Sequence, residues 1–145
     1  MKLSTRGRYA TRAMLELALR YGTGPVLLKD IANSQHVSDK YLEQVITPLK
    51  AAGLVNSVRG ARGGFLLARP PGEIKLSQII EVVEGSVAPV DCVDDPQGCP
   101  LSPQCVAREV WVKLKKSTDS VLDSVTLQDM VERQHQKAKA AMYYI

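Results

Sequence analysis

No run of apolar residues in the 145-residue sequence approaches the roughly 20 needed to span a bilayer, so no membrane is expected as a partner. The opening MKLSTRGRYATRAML lacks the apolar h-region and small-residue cleavage site of a secretory signal, and the expected compartment is the cytoplasm. Aromatics are scarce, with one Trp and one Phe, so a core drawn from 45% hydrophobic residues must be mainly aliphatic. No histidine lies beside a plausible nucleophile and no glycine loop precedes a helix as a phosphate-binding loop does, so an enzyme is not expected. There is no internal repeat and no low-complexity segment. Cysteine is absent everywhere except residues 92–105, which hold all three. An odd cysteine count in a cytoplasmic chain argues against a structural disulfide.

Charge is unevenly distributed. Residues 1–70 hold 11 Lys or Arg against 4 Asp or Glu, a net +7, whereas residues 71–145 hold 8 against 11, a net −3. A basic front half suits a polyanion such as DNA, although a solvated basic face with no partner would read the same.

Periodicity supplies the elements. Ala10, Ala13, Met14, Leu17, Ala18 and Tyr21 recur at helical spacing over residues 6–21, with Ser4 or Thr5 to cap and Gly22 to stop the helix. A short helix is expected from Leu28 to Ser34, and Ser38 caps a third with Leu42, Val45, Ile46 and Leu49 on one face. Pro48 interrupts that stripe and predicts a kink or a restart, because an internal proline removes a backbone bond at about 3 kcal/mol. LVNSV and FLLA read as strands joined by the basic tip RGARGG. Two helices, a tight turn and a basic hairpin are the order of a winged helix-turn-helix. Ser77 is placed to cap a helix ending at Glu84, a longer amphipathic helix is expected from about Pro103 to Ser124, and Thr126 with Asp129 resembles a capping box. The long helix carries Ala107, Val110, Trp111, Leu114, Val121 and Leu122 along one side, more apolar surface than so small a chain can cover, and predicts a homodimer seam.

The fold expected is mainly α with a small β-hairpin: a winged helix-turn-helix over 1–85, a cysteine loop over 86–105 and dimerisation helices over 106–145. In such a motif the start of the second helix of the pair enters the major groove of double-stranded DNA. Ser38, Lys40, Tyr41, Glu43 and Gln44 then face the DNA, Gln and Glu being able to read adenine and cytosine edges while Lys40 and Tyr41 suit phosphates. Arg59 and Arg62 on the hairpin tip suit the neighbouring minor groove. The alternative for all of these is an ordinary polar helix face.

Cys92, Cys99 and Cys105 are spaced Cys-x6-Cys-x5-Cys, unlike the Cys-x2-Cys of zinc ribbons and thioredoxin-type sites. Three loosely spaced thiolates, with Gly98, Pro96, Pro100 and Pro103 limiting the loop, can wrap an iron–sulfur cluster. Zinc with a fourth donor, a thiol redox switch and inert cysteines are the alternatives.

LSTRGRYATRAML, YLEQVITPLKAAGLVNSVRGARGGFLL and the three-cysteine loop followed by Trp111 resemble the iron–sulfur cluster regulators of the IscR type, through nearly the whole chain from Met1 to about Met142. These are dimeric winged-helix bacterial transcription regulators, with nitric-oxide-sensing and iron-responsive members. The resemblance implies that Cys92, Cys99 and Cys105 ligate a cluster, that the helix beginning near Cys105 forms the dimer, and that Glu43, Gln44 and Arg59 lie against DNA. It implies an iron–sulfur cofactor; the cluster type is left open with the fourth ligand, 2Fe–2S being favoured over 4Fe–4S. Two positions depart. The histidine that completes the cluster in IscR-type members is Arg108 here, and the N-terminal aspartate used by nitric-oxide-sensing relatives is Arg8. A guanidinium has no lone pair to give. The fourth ligand is left open among Asp91, Asp94, Asp95, Glu109, His36, an exogenous thiol and water. The first cysteine interval is also one residue longer than in the family. The function expected is a regulator whose operator affinity follows cluster occupancy; the rivals are a cluster-independent repressor responding to a partner, thiol or zinc chemistry, and an electron-transfer or cluster-carrier protein.

Overall fold

Ser4 opens the first helix: its hydroxyl accepts from the Gly7 N–H at 3.1 Å, and the computed structural model, which describes residues 2–143, carries α1 from Thr5 to Leu19. Ala10, Ala13, Met14, Leu17 and Ala18 are buried as their spacing predicts. Tyr21 corrects that pattern, since it lies past the end of the helix and is 47% exposed. Helix α2 spans Leu28–Gln35 and ends at His36, held in the left-handed region at φ 57°. The Val37 N–H donates to the Ala32 carbonyl at 3.0 Å and the His36 N–H to Asn33 at 3.3 Å, closing α2 in a Schellman motif that turns the chain directly into α3.

Helix α3 spans Asp39–Ala51, with the Ser38 hydroxyl accepting from the Tyr41 N–H at 3.1 Å and Leu42, Val45, Ile46 and Leu49 buried. It continues through Pro48 as one helix. The carbonyl that Pro48 leaves without its usual donor belongs to exposed Gln44, where water can reach it, so the buried stripe decides the outcome. Leu54 then donates to the Leu49 carbonyl at 3.0 Å, and the chain enters β1 (Val55–Val58).

β1 pairs antiparallel with β2 (Gly64–Leu67), Val55 opposite Leu67 and Val58 opposite Gly64. Gly64, expected in the tip, belongs to the strand. Val26 adds a rung on the other side of β2 by exchanging two 2.8 Å bonds with Phe65. Gly64 sits at φ 148°, and a Cβ there would overlap the Val26 carbonyl, so only glycine lets that rung form.

Helix α4 spans Leu76–Glu84. Ser77 falls inside it, and Lys75 takes the cap position. The reason is tertiary: Lys75 bridges Thr126, the Leu76 N–H donates to Val125 at 2.9 Å, and the Leu127 N–H donates to Ile74 at 2.9 Å. After the cysteine loop, α5 runs Val106–Ser124, starting three residues later than Pro103, and α6 runs Leu127–Met142. The capping box is formed, Thr126 N–H to Asp129 Oδ2 at 2.9 Å and Asp129 N–H to Thr126 Oγ1 at 3.1 Å. Leu127 and Val131 join Met14, Leu17, Ile31, Leu42, Ile46, Leu49, Ile74 and Ile79 in one aliphatic core, so α6 is anchored in the same core as α1 and α3. No described helix is long and apolar enough to cross a membrane.

Candidate functional site

The turn at His36 and the cap at Ser38 set how α3 presents its outer face. Lys40, Glu43 and Gln44 are exposed there, while the Ser38 hydroxyl is engaged in the cap. Tyr41 is half-buried: its ring meets Tyr9 of α1 edge to face at 5.7 Å and 83°, and its hydroxyl is buried without a partner. A side chain so placed packs α1 against the first turn of α3 as well as standing near its outer face. Arg12, which periodicity did not single out, stacks over Tyr9 at 5.4 Å; its spacing three residues after Tyr9 was the available signal. Arg59 and Arg62 are exposed on the tip between β1 and β2, and Arg62 shares a depression of ≈ 320 Å³ with Arg20, Thr23 and Asp30. Among the described residues the ion pairs are Glu16–Arg20 at 3.7 Å and Lys115–Asp119 at 2.7 Å. The charges of Lys40, Arg59 and Arg62 are therefore left uncompensated, which favours a polyanion.

The cysteine loop consists of three single 3-10 turns, Asp91–Val93, Pro96–Gly98 and Ser102–Gln104. Pro96 and Pro103 sit at the starts of the last two, where the fixed proline φ suits a helical turn. Cys92 lies in the first turn, Cys99 follows the second and Cys105 follows the third; all three are free and half-buried. Cys105 is also the N-cap of α5, its Sγ accepting from the Arg108 N–H at 3.4 Å. Arg108 reaches back, Nε donating to the Cys92 carbonyl at 2.9 Å, and so ties the two ends of the loop together. Cys99, buried Ser102 and Arg108 line a cavity of ≈ 390 Å³ walled by three prolines. Asp91, Asp94, Asp95 and Glu109 are exposed around the loop, His36 lies in the α2–α3 turn, and Arg8 on α1 bonds the Thr5 hydroxyl at 3.4 Å. Among the described residues no three His, Cys, Asp or Glu are grouped closely enough to hold a single metal ion. The donors suit iron–sulfur chemistry by type, since three thiols share one short loop.

Helix α5 has no fully buried residue, and Val106 (74% exposed), Val110 (54%), Trp111 (38%) and Val121 (63%) are uncovered. Asp119 holds the Lys115 ammonium pKa above its ordinary value by accepting its hydrogen bond.

The Rrf2 family, described as iron-dependent transcriptional regulators, matches residues 3–133. The chain is 41% identical over 145 residues to the HTH-type transcriptional regulator CymR of Bacillus subtilis, covering 100% of both chains. It is 40% identical to the HTH-type transcriptional regulator IscR of Klebsiella pneumoniae over 134 residues, 92% of this chain and 82% of that one. Two solved structures superpose closely. CymR, described as the global cysteine regulator of B. subtilis, gives a TM-score of 0.78 at 41% identity, covering 92% of this chain and 98% of that one. T. potens IscR gives 0.77 at 48% identity, covering 92% and 88%. These relatives carry the same winged-helix architecture and are regulators rather than enzymes, and this chain belongs to the Rrf2 family of bacterial transcription regulators, whose members bind DNA.

Proposed function

We propose that this protein is a cytoplasmic, homodimeric regulator whose affinity for its operator changes with occupancy of an iron–sulfur cluster on Cys92, Cys99 and Cys105. The carrying observation is that all the cysteines of the chain are free and half-buried on one loop joined at one end to α4 and at the other, through the Cys105 cap, to α5. In this reading Lys40, Glu43 and Gln44, with Ser38 and Tyr41 at the helix start, lie in the major groove, and Arg59 and Arg62 reach the minor groove. The uncovered side of α5 forms the seam between copies. When bound, a cluster, with 2Fe–2S favoured, supplies a link between three points of the loop that oxidants or nitric oxide can destroy. Arg108 cannot be the fourth ligand; it holds Cys92 and Cys105 in place as the clasp of the loop. A coupling of about 1–3 kcal/mol between loop state and DNA would alter operator affinity roughly 5- to 150-fold.

The test is an absorbance spectrum with iron and sulfide counts on protein purified without oxygen, followed by operator titration with and without the cluster. Visible bands with matched iron and sulfide, and a shifted operator Kd, are expected. A colourless protein without acid-labile sulfide after anaerobic reconstitution sinks the cluster reading.

A second reading is supported by the 41% identity over the full length of both chains to CymR, described as a cysteine regulator, and by an arginine at position 108. In it the chain is a cluster-independent repressor: if it responds to a partner, C92A leaves regulation unchanged, and if it responds through thiol or zinc chemistry, C92A alters regulation in a protein that carries no acid-labile sulfide.

A further inference from the structure

Glu84 is the last residue of α4, and the cysteine-loop segment begins two residues later. Its carboxylate does not face solvent alone. The Ser4 N–H donates to Glu84 Oε1 at 2.9 Å, and the Ser4 hydroxyl donates to the same oxygen. Ser4 is also the N-cap of α1. Gly7, buried in the first turn of α1, faces this carboxylate, and a methyl group on Gly7 would overlap it. A carboxylate seated at a helix N-terminus is favoured by the helix dipole as well as by these donors. Thus the end of the element leading into the cysteine loop is fastened to the first turn of α1.

The connection continues. Tyr9 lies five residues beyond Ser4, about 7.5 Å along a rigid helix. Its ring meets Tyr41 in the first turn of α3, the turn whose neighbours Lys40, Glu43 and Gln44 are exposed. An α-helix of 15 residues locked into an aliphatic core moves as a body. Glu84 at the N-cap and Tyr41 through Tyr9 thus both bear on the same helix.

We propose that Glu84 is a positioning residue that couples the cysteine loop to the DNA-facing helix, through Ser4, α1 and the Tyr9–Tyr41 contact. The inference rests on the loop-to-DNA switch proposed above and names the path by which the loop acts.

Hydrogen exchange on the full chain without cluster tests the path independently of any cofactor. E84A and S4A should each speed exchange about fivefold or more at the first-turn amides of α1 and, in parallel, at Leu42, Glu43 and Gln44 of α3, leaving β1 and β2 unchanged. E84Q, which keeps an acceptor for Ser4, should retain wild-type exchange at α3. If exchange rises in α1 alone, or if E84Q matches E84A at α3, the proposal is overturned. S4A removes one hydroxyl and serves if E84A does not fold. The second measurement loads wild type, E84A and E84Q with ferrous iron and sulfide and compares operator Kd with the unloaded proteins. Loss of the loaded-to-unloaded ratio in E84A at unchanged iron content supports the path, and an unchanged ratio refutes it. A wild-type protein indifferent to loading refutes the switch, and the exchange result then decides the path by itself.

Discussion

Replacing Val110 by alanine or aspartate probes the proposed α5 seam. Val110 is 54% exposed in the single chain, so about half of its side chain awaits cover. Full burial of a valine is worth about 1.5–3 kcal/mol, and the half supplied by a partner roughly 1 kcal/mol. In a two-fold seam each position occurs twice, so V110A should weaken dimerisation by about 2 kcal/mol, roughly 30-fold in Kd. V110D adds the cost of placing two like carboxylates in an apolar seam and should leave monomer at micromolar concentration. Sedimentation equilibrium over a range of concentrations reads the association directly, and operator titration should show weakened binding because a monomer engages one half-site. Any fall in Tm should depend on protein concentration, since the residue is already exposed in the single chain and only the stability linked to dimerisation is lost. A V110D protein that remains dimeric with wild-type affinity would refute the seam, and the exposed side of α5 would need another explanation.

Further outcomes follow from the geometry. E43A should alter base preference at one operator position by about 1–3 kcal/mol while leaving the salt dependence of binding intact, whereas R62A should lower the log–log salt slope by about 1 without changing preference, both read by titrations at several salt concentrations. G64A should destabilise the fold by about 2 kcal/mol or more, because its backbone conformation and the close Val26 carbonyl both exclude a Cβ, as a denaturant midpoint would show. T126A removes an N-cap and should cost about 1 kcal/mol, a fall of about 2–4 °C in Tm. The raised Lys115 pKa, due first to its hydrogen bond with Asp119, means that the stability from this pair is fully present below the ordinary lysine value of 10.5 and is lost as pH rises through the folded value; K115M should flatten that alkaline loss and leave neutral stability nearly unchanged.

Much of this molecule is local in origin and was legible in the residues themselves. The stripes Ala10–Ala13–Met14–Leu17 and Leu42–Val45–Ile46–Leu49 repeat at helical spacing, Ser38 and Thr126 cap because their hydroxyls reach backbone N–H groups three residues on, and a Gly- and Arg-rich tip between short apolar runs makes a wing. The clustering of all three cysteines needed no structure to be seen. Other features depend on residues far apart in the chain, and no local period encodes them. Lys75 rather than Ser77 caps α4 because residues 74–76 pair with residues 125–127, and α6 is anchored because Leu127 completes a core begun at Ala10. Val26 joins the hairpin only because Gly64 leaves room, and Tyr41 became a packing residue only when α1 brought Tyr9 to its edge. Arg108, read from the chain as a missing ligand, became the clasp of the loop once its guanidinium could be seen on the Cys92 carbonyl 16 residues away. Sequence thus determined the elements and the donor atoms, because capping and amphipathicity act within a few residues. Tertiary structure decided what holds the loop and what it touches, because those bonds exist only after the chain has folded back upon itself.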